Sequence, residues 1–292
     1  MAMDPVNTLA EQIRGHDGPE RRIAIAKLMQ LAREEETRTG VFQKLVELVN
    51  KGDLTNGDLA PHLSELLAIW KELYDRVAPL QQDPQKLQWM FEDEYQVFRT
   101  DAEWLLDLLG YLRIGDLRGE AVADALRQGL TLSDPLLKLF AAISLLRHLE
   151  RVDATELEKI AASHQTRKKL WDQLRRLHLE SLMPERWSMP ELLAASELSN
   201  WASHPMELGV PPEEIELAKI FPVEINGEKL DTYLFRFREY PKRGKPDEGW
   251  MAGIAGPYKE GQALLSPWSS FDQWDALRPE EHFWKLYSVV NR

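Results

Sequence analysis

Three stretches decide the fold: Asp101-Ala-Glu-Trp-Leu-Leu-Asp-Leu-Leu-Gly110, Asp134-Pro-Leu-Leu-Lys-Leu-Phe-Ala-Ala-Ile143 and Thr166-Arg-Lys-Lys-Leu-Trp-Asp-Gln-Leu174. Each opens on a residue suited to a helix start, with Pro135 at the first helical position of the second, and continues with apolar residues at helical spacing. In the first these are Trp104, Leu105, Leu108, Leu109 and Leu112. The three openings stand 33 and 32 residues apart, and partner helices are expected to start near Gly119, Asp153 and Ser188. Such a helix pair cannot bury its apolar face alone, so the repeat predicts neighbouring pairs stacked on one continuous core.

The helical pattern extends on both sides, over about residues 19–205. Pro19 starts a helix carrying Ile23, Ala26, Leu28 and Leu31, and Val41 to Val49 presents Phe42, Leu45, Val46 and Val49 on one face. The next helix carries Leu63, Leu66, Leu67, Trp70, Leu73 and Val77 and is closed by Pro79. Asp83-Pro84 starts another, with Leu87, Met90, Phe91, Tyr95 and Phe98.

Beyond Pro211-Pro212 the period changes from that of a helix to two: Ile215, Leu217, Lys219, Phe221, Val223 and Ile225 alternate. Asn226-Gly227 then gives the strongest short hairpin signal. The return strand, Tyr233 to Arg238, sets Arg236 and Arg238 on one face and its aromatics on the other. Trp250 to Ala255 is a third strand ended by Gly256-Pro257, and Trp268 to Asp275 reads as a loop. A helix from Pro279 to Val290 finishes the chain, with Glu280 and Glu281 in its first turn. The expected fold is mainly α: an irregular α-solenoid of stacked antiparallel helix pairs over 1–205. A small α+β region over 211–292, a hairpin-based antiparallel sheet plus one helix, follows as a domain or cap.

The helix pairs with their Asp-Pro or polar starts resemble HEAT-like helical repeats over about residues 15–205. That resemblance implies scaffolding or protein binding. An enzymatic exception, the HEAT-like DNA glycosylases, uses a basic concave face with aromatics around an acidic residue, and the charge of this chain stands against it. Compact acidic helical-repeat proteins are also found among bacterial immunity proteins that neutralise a cognate toxin. This similarity of type implies a bacterial immunity or defence role, and it carries over no residue.

Composition narrows the partner. With 48 acidic against 36 basic residues the net charge is −12, which disfavours nucleic acid and anionic lipid and suits a basic protein. No cysteine is present, which removes disulfides, thiolate metal sites and cysteine nucleophiles and fits a reducing, cytoplasmic setting. Met1 to Ala10 has neither a basic nor an apolar region of a secretory signal, and no apolar run is long enough for a membrane span.

A search for chemistry yields no catalytic residue, no metal site and no cofactor motif. The seven histidines form no HExxH helix, and GxSxG, P-loop and GxGxxG patterns are absent. Gly253 to Tyr258 lacks the helix and lysine of a phosphate loop and reads as a strand ending in a turn. The densest unusual feature is aromatic, and Trp250, Tyr258, Trp268, Phe271 and Trp274 with Asp272 and Asp275 are the candidate partner-binding residues. Trp284 and Tyr287, three apart on the last helix, are expected in the core. Glu92, Asp93 and Glu94 offer an acidic docking patch, and Lys242, Arg243 and Lys245 a basic loop tip.

The expected function is therefore non-enzymatic protein binding, with an acidic, partly aromatic surface occluding a basic partner such as a toxin. An alternative is an enzyme with Asp272, Asp275 and His282 in a crease between solenoid and cap. Another is a nucleic-acid binder using Arg167, Lys168, Lys169, Arg175 and Arg176 as a basic stripe.

Overall fold

The computed structural model describes residues 4–81, 93–112, 117–204, 206–239, 249–258 and 268–290. It is mainly helical, with one four-stranded antiparallel sheet near the C-terminus. Internal contacts divide the chain into Met1–Glu156 and Leu157–Arg292.

The first unit contains α1 (Pro5–Gly15), α2 (Pro19–Leu31), α3 (Glu35–Asn50), α4 (Asn56–Leu59), α5 (Leu63–Leu80), α6 (Asp93–Leu109), α7 (Leu117–Leu130) and α8 (Pro135–Arg147). Helix α9 (Ala154–Ala162) begins in it. Starts follow the sequence signals: Asp4 accepts from Val6 N at 3.0 Å ahead of Pro5, and Asp134 from Leu136 N at 2.8 Å around Pro135. One row of contacts runs α1–α3–α6–α8, while α5 touches α7. A single core joins them, from Ile13 and Phe42 through Trp70 and Tyr95 to Leu137 and Leu145.

Asp101 departs from expectation. Helix α6 begins at Asp93, so Asp101 lies in mid-helix and is fully buried. It accepts from Thr39 Oγ1 and sits 3.9 Å from Arg38 Nη1. The turn of sequence before Asp101, with Tyr95 and Phe98 buried, continues the helix backwards. The expected helix start at Asp83-Pro84, with Leu87, Met90 and Phe91, lies outside the described residues.

A second repeat is carried by side-chain hydrogen bonds. Thr37 Oγ1 donates to Leu31 O at 2.6 Å, Arg38 Nε to Ala32 O at 3.0 Å and Arg38 Nη2 to Arg33 O at 3.2 Å. In the other unit Thr166 Oγ1 donates to Ile160 O at 2.6 Å, and Arg167 Nε and Nη2 to Ala161 O and Ala162 O, each at 2.8 Å. The two Thr-Arg pairs stand 129 residues apart. Each caps the bare carbonyls at the end of one helix with a cation, where the helix dipole favours it.

Gly110, just past α6, packs directly against Ser144 of α8. A Cβ there would lie 2.5 Å from Ser144 Oγ, 2.8 Å from Ser144 Cβ and 3.0 Å from Ser144 Cα. Rotating Ser144 relieves only the first, so Gly110→Ala is expected to cost about 1–3 kcal/mol by overpacking. Denaturant unfolding checks this, and adding Ser144→Gly should recover part of the loss.

The second unit contains α10 (Arg167–Arg176), α11 (Pro190–Ala202), β1 (Pro212–Ile225), β2 (Glu228–Glu239), β3 (Trp250–Tyr258), β4 (Trp268–Gln273) and α12 (Pro279–Val290). Strand order is β1-β2-β3-β4. Asn226 and Gly227 turn the hairpin at φ 53° and 80°, the positive pair that a two-residue loop needs. Tyr233, Phe235 and Phe237 pack with Met251 and Ala255 against Ala194, Ala195 and Leu198 of α11. The other face sets Leu230, Leu234 and Ile254 against Phe283 and Leu286 of α12. The sheet thus has a helix on each face where one was expected.

The expected loop at Trp268 is a strand, β4, paired with β3 from Gly256↔Trp268 to Met251↔Gln273. Its Ser-Ser and Asp-Gln composition has weak strand preference, and pairing with a buried neighbour overrides it. Strand β1 carries bulges between Pro212 and Glu214 and between Leu217 and Lys219. Counting back from the turn, Ile225, Val223 and Phe221 exchange bonds with β2, so the missing N–H of Pro222 falls on the outer edge.

Candidate functional site

Four of the sequence candidates meet at one end of the sheet, on the face shared with α12. Register sets Arg238 beside Trp250, and Glu216, Arg236, Ala252 and Asp272 in one row across all four strands. Trp274, just past β4, donates its backbone N–H to Trp250 O at 2.9 Å. Both tryptophans are half-buried.

Each ring is backed by a polar group. The Arg236 guanidinium lies 4.7 Å from the centre of the Trp250 ring, and its Nε donates to Glu216 at 2.6 Å. Trp274 stacks on His282 with ring centres 4.6 Å apart and planes at 15°. His282 is fully buried, with Nε2 3.5 Å from Asp275 Oδ1. Asp272 pairs with Lys285 of α12. That ammonium, helped by the backbone N–H of Gln273, holds the Asp272 carboxyl below its ordinary range. The result is two fixed aromatic plates among carboxylates and their partners.

Other candidates fall elsewhere. Phe271 points to the opposite face and meets Phe237 edge-on, with centres 6.0 Å apart. Glu92 and the Lys242–Lys245 tip lie outside the described residues, as do the side chains of Asp93, Glu94, Tyr258 and Trp268. Trp284, expected in the core, is 57% exposed, and its neighbour Phe283 is buried instead. Arg236, Glu216 and Lys285 were not among the candidates. The Arg236/Arg238 alternation was the one signal that could have pointed to the first.

The alternative chemistries gain little from the geometry. Asp272 is shifted opposite to the direction a general acid needs. His148 Nε2 meets Leu109 O at 3.0 Å, and His164 Nε2 meets Pro212 O at 2.6 Å. Burial pushes the His164 pKa down. In the basic stripe, Arg167 and Lys168 are buried, whereas Lys169, Arg175 and Arg176 are exposed. Burial lowers Arg167 to about 10 while its guanidinium binds backbone carbonyls. The five cations therefore share no single face.

Among the described residues no three His, Asp or Glu side chains are grouped to hold a metal ion, and no helix is long and apolar enough to cross a membrane. The sequence matches no protein-family model, no curated protein and no solved structure.

Proposed function

We propose that the chain is a non-enzymatic protein-binding module that receives a basic partner on the Trp250–Trp274 face. The observation that carries this reading is Trp274, half-buried and fixed by His282 and by the backbone of Trp250. Rigid, partly exposed aromatic rings lose little conformational freedom on binding and commonly dominate interface energies. Glu214, Glu216 and Asp272 on the strands and Asp275 just past β4 flank the two rings, and a net charge of −12 supports attraction of a basic surface. The α1–α3–α6–α8 row supports a HEAT-like solenoid in the first unit. Occlusion of a toxin's basic active face in a bacterial cytoplasm is the concrete form of this reading. Charge would then govern association and the aromatic anchors dissociation.

The test is capture of partners by the tagged chain at low and high salt, with bound proteins identified by mass spectrometry. A stoichiometric basic protein released by salt supports the reading, and retention of nucleic acid alone overturns it. With the partner in hand, Trp274→Ala should speed dissociation about 30-fold, the hot-spot scale of about 2 kcal/mol. Unchanged dissociation would take Trp274 out of the interface.

A further inference from the structure

Neither ring nitrogen of His282 makes a hydrogen bond to a described residue, and both are sealed from solvent. Buried imidazoles ordinarily place at least one nitrogen on a partner. Here a carboxylate waits just beyond reach: Asp275 Oδ1, 3.5 Å from Nε2. Asp275 belongs to the segment after β4, is half exposed, and uses the same oxygen to accept from Leu277 N at 2.8 Å. Trp274, its neighbour in sequence, covers the imidazole face.

Charged side chains lie around His282 on the elements packed against it. Strand β4 supplies Asp272, which is already paired with Lys285 of α12. Strand β1 supplies Lys219, paired with Glu280 at the start of α12. On α12 itself Glu281 takes Arg278. Strand β3, also packed on α12, has no charged side chain between Trp250 and Tyr258. Strand β2 supplies Arg236, paired with Glu216; the nearby cations are thus compensated, and Asp272 and Asp275 are the carboxylates that act on the ring, Asp275 the one in line with Nε2.

We propose that His282 is a proton-operated latch beneath Trp274. A proton makes both ring nitrogens donors and places positive charge between an indole face and a carboxylate, each of which attracts it. Asp275 then closes onto Nε2 and draws the Trp274–Asp275 segment against α12. Loss of the proton removes that pull, leaving the segment held by the stacking and by the backbone bond to Trp250. The latch is closed while the imidazole carries its second proton and open when the imidazole is neutral. It is a property of this unit alone, and only its effect on partner binding rests on the role proposed for Trp274.

The experiment follows the full chain by NMR from about pH 8 to about pH 5.5, across the histidine range. The Trp274 indole N–H and the His282 ring C–H signals should move together, with the exposed Trp284 of the same helix as a still reference. Asp275→Asn, a change at an exposed side chain, should leave His282 titrating and remove the step at Trp274. His282→Phe, which keeps the aromatic stack, should remove it as well. A Trp274 signal that ignores pH, a His282 signal that never titrates, or an unchanged step in Asp275→Asn overturns the latch. None of these readings needs the partner, so failure of the binding proposal leaves them intact.

Discussion

Replacing Arg38 by alanine is expected to destabilise the first unit by about 3–5 kcal/mol, the range for removing one member of a buried charge pair. Arg38 is 3% exposed and serves two groups at once. Its Nε and Nη2 cap the carbonyls of Ala32 and Arg33, and its Nη1 lies 3.5 Å from Glu72 and 3.9 Å from Asp101. Burial already pushes the Asp101 carboxyl above its usual range, with Thr39 and Arg38 working in the other direction. Without Arg38, Asp101 keeps Thr39 and faces Glu35 and Glu72. Arg38→Lys should recover only part of the loss, because a single ammonium cannot span two carbonyls and a carboxylate. The midpoint of denaturant unfolding measures each variant. Arg38→Met with Asp101→Leu should regain much of the stability, since an apolar pair leaves no orphaned charge. A loss under about 1 kcal/mol for Arg38→Ala would show that the Thr-Arg clamp contributes little.

Asp134→Ala is expected to cost a similar amount, about 3–5 kcal/mol. Asp134 has no exposed surface and ties α6 to the start of α8. It caps α8 through Leu136 N at 2.8 Å, accepts from Tyr95 Oη at 2.7 Å, and pairs with Arg99 Nε at 2.8 Å. Loss of the cap alone accounts for about 1 kcal/mol. The rest comes from Arg99, left buried with Glu103 as its remaining carboxylate, and from a phenol without its acceptor. Burial, reinforced by the Asp134 charge, holds the Tyr95 phenol far above its ordinary range, so it stays a donor at any working pH. Tyr95→Phe, which removes one hydrogen bond, should cost about 1 kcal/mol. In a double-mutant cycle the two losses should fall short of additivity, because both remove the same bond.

The sequence makes the long helices legible because their apolar stripes repeat at 3.6 residues, and it makes the hairpin legible because Asn226-Gly227 permits few other conformations. Asp134-Pro135 reads correctly as a helix start. Asp101 reads the same way but lies in mid-helix, held by Thr39, 62 residues away in the chain. The Thr-Arg clamp is written plainly at 37–38 and 166–167, yet its 129-residue spacing is masked by the shorter apolar period. At the candidate site, alternation places Arg236 and Arg238 on one face, and composition singles out Trp250 and Trp274. The stacking of Trp274 on His282 depends on where α12 lies against the sheet, which no local pattern encodes.

Strand β1, 14 residues long, is an edge strand of the sheet, with Leu217 43% and Ile220 42% exposed. An edge of that kind invites self-association through strand-to-strand pairing. Here two bulges kink the edge, Pro222 withholds a donor, and Glu213, Glu214, Glu216 and Lys219 stud it with charge. A would-be neighbour therefore meets a broken template. Apolar side chains can then stand exposed along this strand while the edge itself opposes strand-by-strand growth.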